Sequence, residues 1–207
     1  MSSGFANPRE TWDARFAGDD YIFGTAPNVF LAAQRPRLTA GSRALCVADG
    51  EGRNSVWLAL QGLAVTAFDI APRGAEKARA LAARSGVSVD YRVAGIEDWL
   101  WTDGTFDVVA AIFVQFAAPA ARERMFAGML QTLKPGGVLL LQGYTPRQLQ
   151  YRSGGPPNAE HLYTPELLRQ AFAGHEIVEL REHDDTLAEG TQHVGMAALI
   201  DCVVRGK

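Results

Sequence analysis

Between residues 43 and 143 the chain alternates two hydrophobic rhythms. The runs RALCVA, AVTAFDI, FDVVAAIF and VLLLQGY are short and nearly continuously apolar, as expected of strands buried on both faces. Between them, NSVWLALQG, GAEKARALAARSG and AARERMFAGMLQTL place apolar residues at helical period. VSVDYRV alternates and predicts a further strand. Gly62 and Gly86 mark helix ends, and KPGG predicts a turn. The order β-α-β-α-β-x-β-α-β predicts a parallel sheet with helices on both faces, doubly wound through right-handed crossovers.

Past residue 144 the pattern changes. The turn-rich stretch TPRQLQYRSGGPPNAEHLYTP leads to a short helix around Glu166–Ala171, then to two strand candidates, HEIVELREH and VGMAALIDCVVRG. Glu189-Gly190 between them predicts a hairpin, which makes these strands antiparallel. The expected fold is therefore α/β: a doubly wound, Rossmann-like, seven-stranded sheet, mostly parallel, with a C-terminal antiparallel hairpin. The first 40 residues predict a small helical cap, with helices around Pro8–Phe16 and Asn28–Gln34. Residues 1–42 are expected to form this cap and 43–207 the main domain, joined as one structural unit.

Composition narrows the function. At 207 residues and 47% hydrophobic, the chain suits one globular domain. A net charge of −3 with no basic run gives no pull toward nucleic acid or an anionic membrane surface. The N-terminal stretch lacks a signal pattern and no apolar run reaches the length of a span, so a cytoplasmic protein is expected. Cys46 and Cys202 fall in strand-like runs and are expected as reduced core thiols. His161, His175, His183 and His193 are scattered and match no metal template, so no metal is expected. Trp99 and Trp101 flank a turn and are expected to pack.

The candidate chemistry starts at ALCVADGEGRN, from Ala44 to Asn54. A strand-to-helix loop presents backbone N–H groups at a helix N-terminus, a natural anion site. Asp49 and Glu51 would repel a pyrophosphate there, and the spacing departs from GxGxxG, with Ala48 at the first glycine position. Asp69 ends the next strand, where an acid accepts hydrogen bonds from the hydroxyls of an unphosphorylated ribose. A ligand with a ribose and no phosphates fits, and S-adenosylmethionine has both features. Its cationic sulfonium and ammonium tolerate an acidic loop.

At this point a resemblance enters. LCVADGEGRNSVWLALQGLAVTAFDIA resembles motifs I and II of class I S-adenosylmethionine-dependent methyltransferases, and FDVVAAIFVQF with LKPGGVLLLQGY resembles that family's fourth and fifth strands. GEGRNSVWLA, VQFAAPAARERMFAGML and the tail are most similar to tellurite-resistance and thiopurine-type small-molecule methyltransferases. The resemblance implies a cofactor site built from Ala48, Asp49, Gly50, Gly52, Arg53, Asn54, Asp69 and Ile70. It further implies backbone contacts from Gly95 and Ile96 to the adenine edge, with Ile112 and Phe113 flanking the cofactor. Three departures stand out, one of them Gly95, which ends the third strand where the family usually has an acid near the adenine, with Glu97 and Asp98 just after. Cys46 and Ala48 occupy positions where the family often has an acid and a glycine, and Asp49 is a candidate to replace the acid.

Methyl transfer from a sulfonium is an in-line displacement with a neutral leaving group, so most catalysis comes from alignment. A soft acceptor such as a thiol or a chalcogen oxyanion needs no dedicated base, whereas an amine or hydroxyl does. Candidate acceptor residues are Gln115, Tyr144, Arg147, Tyr151, Arg152, His161 and Tyr163. In the cap they are Trp12, Phe16, Tyr21, Phe23 and Asn28. The stretch from Tyr144 to Tyr163 is expected to form a lid opposite the cap. Two other classes compete: a nicotinamide-dependent oxidoreductase, and a non-catalytic module that binds the cofactor for regulation.

Overall fold

The computed structural model describes residues 7–207; the first six positions of the expected cap segment lie outside the described residues. Seven strands form one sheet: β1 (Arg43–Val47), β2 (Ala64–Asp69), β3 (Val89–Val93), β4 (Phe106–Ile112), β5 (Leu133–Tyr144), β6 (Glu176–Glu189) and β7 (His193–Arg205). Their order is β3-β2-β1-β4-β5-β7-β6. The first five strands pair in parallel, and β7 inserts antiparallel between β5 and β6. The doubly wound sheet with its terminal hairpin is the fold expected from the sequence. The order reverses between β1 and β4, which opens a crevice at their carboxyl ends.

Two-residue periodicity builds both cores. Leu45 and Val47, Val109 and Ala111, and Leu139 and Leu141 face one side of the sheet. There α5 (Pro119–Gln131) and α7 (Pro165–Ala171) cover them with Met125, Met129 and Leu168. Ala44 and Cys46, Val108 and Ala110, and Val138 and Leu140 face the other side. There α2 (Val29–Ala33), α3 (Arg53–Leu60) and α4 (Pro72–Arg84) contribute Leu31, Leu58, Ala78 and Leu81. Both thiols are free and buried, and burial raises the pKa of each.

Two details differ from the sequence pattern. KPGG is a bulge within β5: Phe106 pairs with Leu133, but Val108 already pairs with Val138. β6 runs on through DDTLAE to Glu189, so the hairpin turn is tighter than the apolar runs indicate. The first helix, α1 (Pro8–Arg15), lies against α4, and α6 (Gln148–Tyr151) lies against β7. Trp99 and Trp101 pack as expected: Trp99 stacks on Phe68 at 4.3 Å, and Trp101 covers Gly128 of α5.

Candidate functional site

The loop after β1 is held by its own acids. Asp49 is half-buried, and its carboxylate accepts from the Ser55 backbone N–H at 3.2 Å and from the Ser55 hydroxyl. It thereby caps α3, whose N-cap, Gly52, has no side chain to do so. Burial raises the Asp49 pKa to about 7; the Ser55 hydrogen bonds pull it down only in part. Glu51 turns the other way. It is buried in an ion pair with Lys77 and accepts from the Phe23 N–H under the cap at 3.4 Å. The two carboxylates that set this loop apart from a phosphate cradle are thus tied to α3, α4 and the cap.

Asp69, at the end of β2, accepts from Gly50 N–H through one oxygen and from Ala71 N–H through the other, each at 2.9 Å. Burial raises its pKa, opposed by those amides. Ala48 and Phe113 follow β1 and β4 with φ of 48° and 57°, left-handed values uncommon for side-chain-bearing residues. Glycine adopts such a turn without strain, which is the physical sense of the family glycine at the Ala48 position.

A cleft of about 360 Å³ opens where these strand ends meet. This lies within the roughly 300–1,000 Å³ of small-molecule sites. Its walls include Ala48, Asp49, Gly50, Arg53, Asn54, Asp69, Ile70, Gly95, Ile96, Ile112 and Phe113. Gly52 is the one cofactor candidate that does not line it. A Cβ there, at φ 92°, would stand 2.7 Å from the Ala78 Cβ and 2.8 Å from the Tyr91 hydroxyl, so this glycine serves helix packing. Arg53 is buried; its Nη2 binds Glu189 Oε2 at 2.8 Å, while Nη1 has no partner.

The cap is clipped to the hairpin. Thr191 and Gln192 donate from their backbone N–H to Ile22 O at 2.8 and 3.1 Å. Asn28, a candidate acceptor residue from the sequence, instead caps α2 through Leu31 N and donates to Gln142 at 2.7 Å and to Glu189 at 3.2 Å. Glu189 thereby sits among Arg53, Asn28 and His193. Burial alone would raise its pKa, but His193 and Arg53 hold it down at about 2. Sequence reasoning found neither Glu189 nor His193 as site residues: one looked like hairpin turn chemistry, the other like a stray histidine.

A second cavity of about 340 Å³ adjoins the cleft, sharing Trp12, Phe23, Phe113, Phe116 and His193 with it. Gln115, Tyr144, His161 and the 154–158 stretch of the expected lid also line it. The Gln115 amide is spent on scaffolding, donating to Tyr144 O and His161 O at 2.9 and 3.1 Å. The Tyr144 ring stacks on Phe113 at 4.7 Å, and its hydroxyl is buried without a partner.

Four lid candidates, Arg147, Tyr151, Arg152 and Tyr163, fall elsewhere. Arg147 lies outside both cavities, ion-paired with Asp184 and bonded to the Tyr151 hydroxyl, because α6 folds it onto β6. Arg152 lines neither cavity. Tyr163 is fully buried against Phe126 in the core. Of the cap aromatics, Phe16 lines the cleft, while Tyr21 donates to Lys77 O at 2.8 Å and packs on α4. Among the described residues no group of three or more His, Cys, Asp or Glu is placed to hold a metal ion. No helix among them is long and apolar enough to cross a membrane.

Comparison with known proteins adds the following. Residues 44–137 match the family model described as a methyltransferase domain. Ubiquinone biosynthesis O-methyltransferase of Xanthomonas euvesicatoria is 41% identical over 105 residues, which are 49% of this chain and 43% of that protein. The enzyme of the same name from Methylocella silvestris is 39% identical over 105 residues, 50% of this chain and 40% of its own. The chain thus spans less than half the length of these curated relatives. A solved structure described as concerning conversion of a disulfide bond into a thioacetal group during echinomycin biosynthesis superposes with a TM-score of 0.80. It is 19% identical and covers 97% of this chain and 92% of that one. The N-methyltransferase NodS from Bradyrhizobium japonicum, in complex with S-adenosyl-L-homocysteine, gives a TM-score of 0.69 at 16% identity, covering 97% and 98% of the two chains. TehB from Haemophilus influenzae gives 0.67 at 16% identity, covering 86% and 61%. At these identities the solved structures speak for the fold.

Proposed function

We propose that the chain is an S-adenosylmethionine-dependent methyltransferase acting on a small aromatic molecule. The observation that carries this reading is Arg53, a buried guanidinium with Nη1 unpartnered, at the start of α3 in the wall of the cleft. A buried cation with an open donor at a helix N-terminus fits the methionine carboxylate. Asp69 supplies the complement at the other end. Its carboxylate has about four lone-pair sites and spends one on each of two amides, which leaves capacity for ribose hydroxyls. Ile70, Gly95 and Ile96 form the surface expected to meet the adenine. The methyltransferase-domain match over residues 44–137 supports the same reading.

S-adenosylmethionine supplies a methyl group on a sulfonium, a good leaving group. The chain's residues bind and align: Arg53 and Asp69 fix the cofactor's two ends, and the shared aromatic wall orients the acceptor toward the cleft. A flat acceptor suits a second cavity lined by Trp12, Phe23, Phe116 and Tyr144. A chalcogen oxyanion is favoured less, since Arg147 is committed to Asp184, Arg15 binds Gln192, and the open donor of Arg53 is assigned to the cofactor carboxylate. The ubiquinone-biosynthesis relatives are named as O-methyltransferases, in keeping with an aromatic oxygen acceptor.

Calorimetric titration tests the cofactor. S-adenosylmethionine and S-adenosylhomocysteine should both bind, and NAD should not bind comparably. Binding of NAD alone would return the chain to the oxidoreductase class. Binding of the methyl donor without turnover on any of a wide panel of acceptors would favour the regulatory module.

A further inference from the structure

The geometry points to His193, oriented by Glu189, as the general base that takes the proton from a hydroxyl acceptor. This rests on the methyl-transfer reading and deepens it by naming the acceptor group. The His193 ring stands in the wall between the cleft and the second cavity. Phe23 and Phe113 each pack against it at 4.5 Å between ring centres. Nδ1 faces Glu189 Oε2 at 3.5 Å, within ion-pair reach but without a formed hydrogen bond. Nε2, on the opposite edge of the ring, has no hydrogen-bond partner among the described residues. A base needs one nitrogen turned toward an orienting group and the other free at the seam where acceptor meets methyl donor, and such orienting contacts are commonly long before the ligand binds.

The surroundings favour the neutral, accepting form. Glu189 is fixed by Arg53 at 2.8 Å and by Asn28 and the Val29 N–H at 3.2 and 3.3 Å. A carboxylate facing Nδ1 at this distance favours the tautomer with the proton on Nδ1. The groups that act on His193 are Glu189 from β6, Arg53 from α3 and Arg15 from α1, with the Tyr144 ring of β5 packed nearby. Burial lowers the His193 pKa, Glu189 opposes this, and the two arginines add to it. The alternatives are weaker. His161 lines only the second cavity. The Tyr144 pKa is raised by burial, which keeps it protonated.

The step balances without a further reactant. The acceptor oxygen attacks the methyl carbon, the carbon–sulfur bond breaks, and its electron pair stays on sulfur as a neutral thioether. The hydroxyl proton passes to Nε2, and the resulting imidazolium, paired with Glu189, later releases it to water. An aromatic hydroxyl, with a pKa near 10 as in tyrosine, needs such a base. A thiophenol, ionised at neutral pH, does not.

The test uses the full chain, ring-substituted phenols and catechols, thiophenol as control, and S-adenosylhomocysteine as binding probe. His193→Gln should lower kcat/KM on phenols by roughly 10²–10⁴-fold. It should leave S-adenosylhomocysteine affinity and the thiophenol rate within about threefold. The wild-type phenol rate should fall on acidification with an apparent pKa below the ordinary histidine value of about 6.5. Independently of turnover, ¹⁵N NMR of the unliganded wild type at pH 7 should show His193 protonated on Nδ1 and not on Nε2. His193→Gln identifies the signal, or Phe23→Leu, which perturbs it, should the first variant not fold. The proposal is overturned by an unchanged phenol rate in the variant, by the opposite tautomer, or by wild-type transfer to thiophenol alone. Failure of the wild type to bind S-adenosylhomocysteine would instead remove the methyl-transfer reading itself.

Discussion

At Asp49, burial and hydrogen bonding compete, and burial wins: the carboxyl is held at about 7. The folded chain therefore binds this proton more tightly than the unfolded chain does. The stabilisation is fully present below about pH 4, the ordinary aspartate range, and is lost as pH rises through 7. Its ceiling is about 4 kcal/mol by linkage, and loop relaxation makes the real value smaller. Asp49→Asn keeps an acceptor for the Ser55 N–H and cannot ionise. Its melting temperature should exceed that of the wild type at pH 8 and converge with it at pH 4.5, as read by thermal unfolding. A constant difference across that range would contradict the role of the charge. The sequence shows Asp49 and Glu51 as anomalies in a glycine loop. It does not show their partners, because Lys77 and the Phe23 amide reach Glu51 only after α4 and the cap have docked.

Among elements, the strands and the three central helices were legible because each writes its burial into a short window. Val108, Val109, Ala110 and Ala111 are apolar in sequence because both faces of β4 are covered. The far half of β6 was less legible: DDT is exposed and polar, and it is strand only because β7 supplies the partner. The turn between them does more than reverse the chain. Gly190, at φ 66°, lies so close to Gly24 and Ile22 that a Cβ would collide with the cap backbone. Gly190→Ala should therefore push the cap off the hairpin. It should cost about 1–3 kcal/mol, as overpacking does, and weaken S-adenosylhomocysteine binding. Thermal unfolding and calorimetry measure the two effects. Wild-type values for both would mean that the cap is held elsewhere.

Across the whole molecule, the sheet order sets the cleft at the switch between β1 and β4, and the cap and hairpin close over it from the two ends of the chain. The residues that line this cleft were legible because they cluster behind consecutive strands. The second cavity was legible in part: Trp12, Phe23, Gln115, Tyr144 and His161 were candidates and line it, whereas His193 comes from a separate segment and meets them only in three dimensions. Arg147 misled because a cation in a loop beside the active edge resembles an anion clamp until Asp184 is seen facing it. The central claim is that this cleft holds S-adenosylmethionine between Asp69 and Arg53. A crystal structure of the chain with S-adenosylhomocysteine tests it most directly. The account predicts the ribose hydroxyls on Asp69, the carboxylate on Arg53 Nη1 and the sulfur facing the His193 side of the cleft. A ligand seated elsewhere, or one bound in the cleft without touching Asp69 and Arg53, would contradict it.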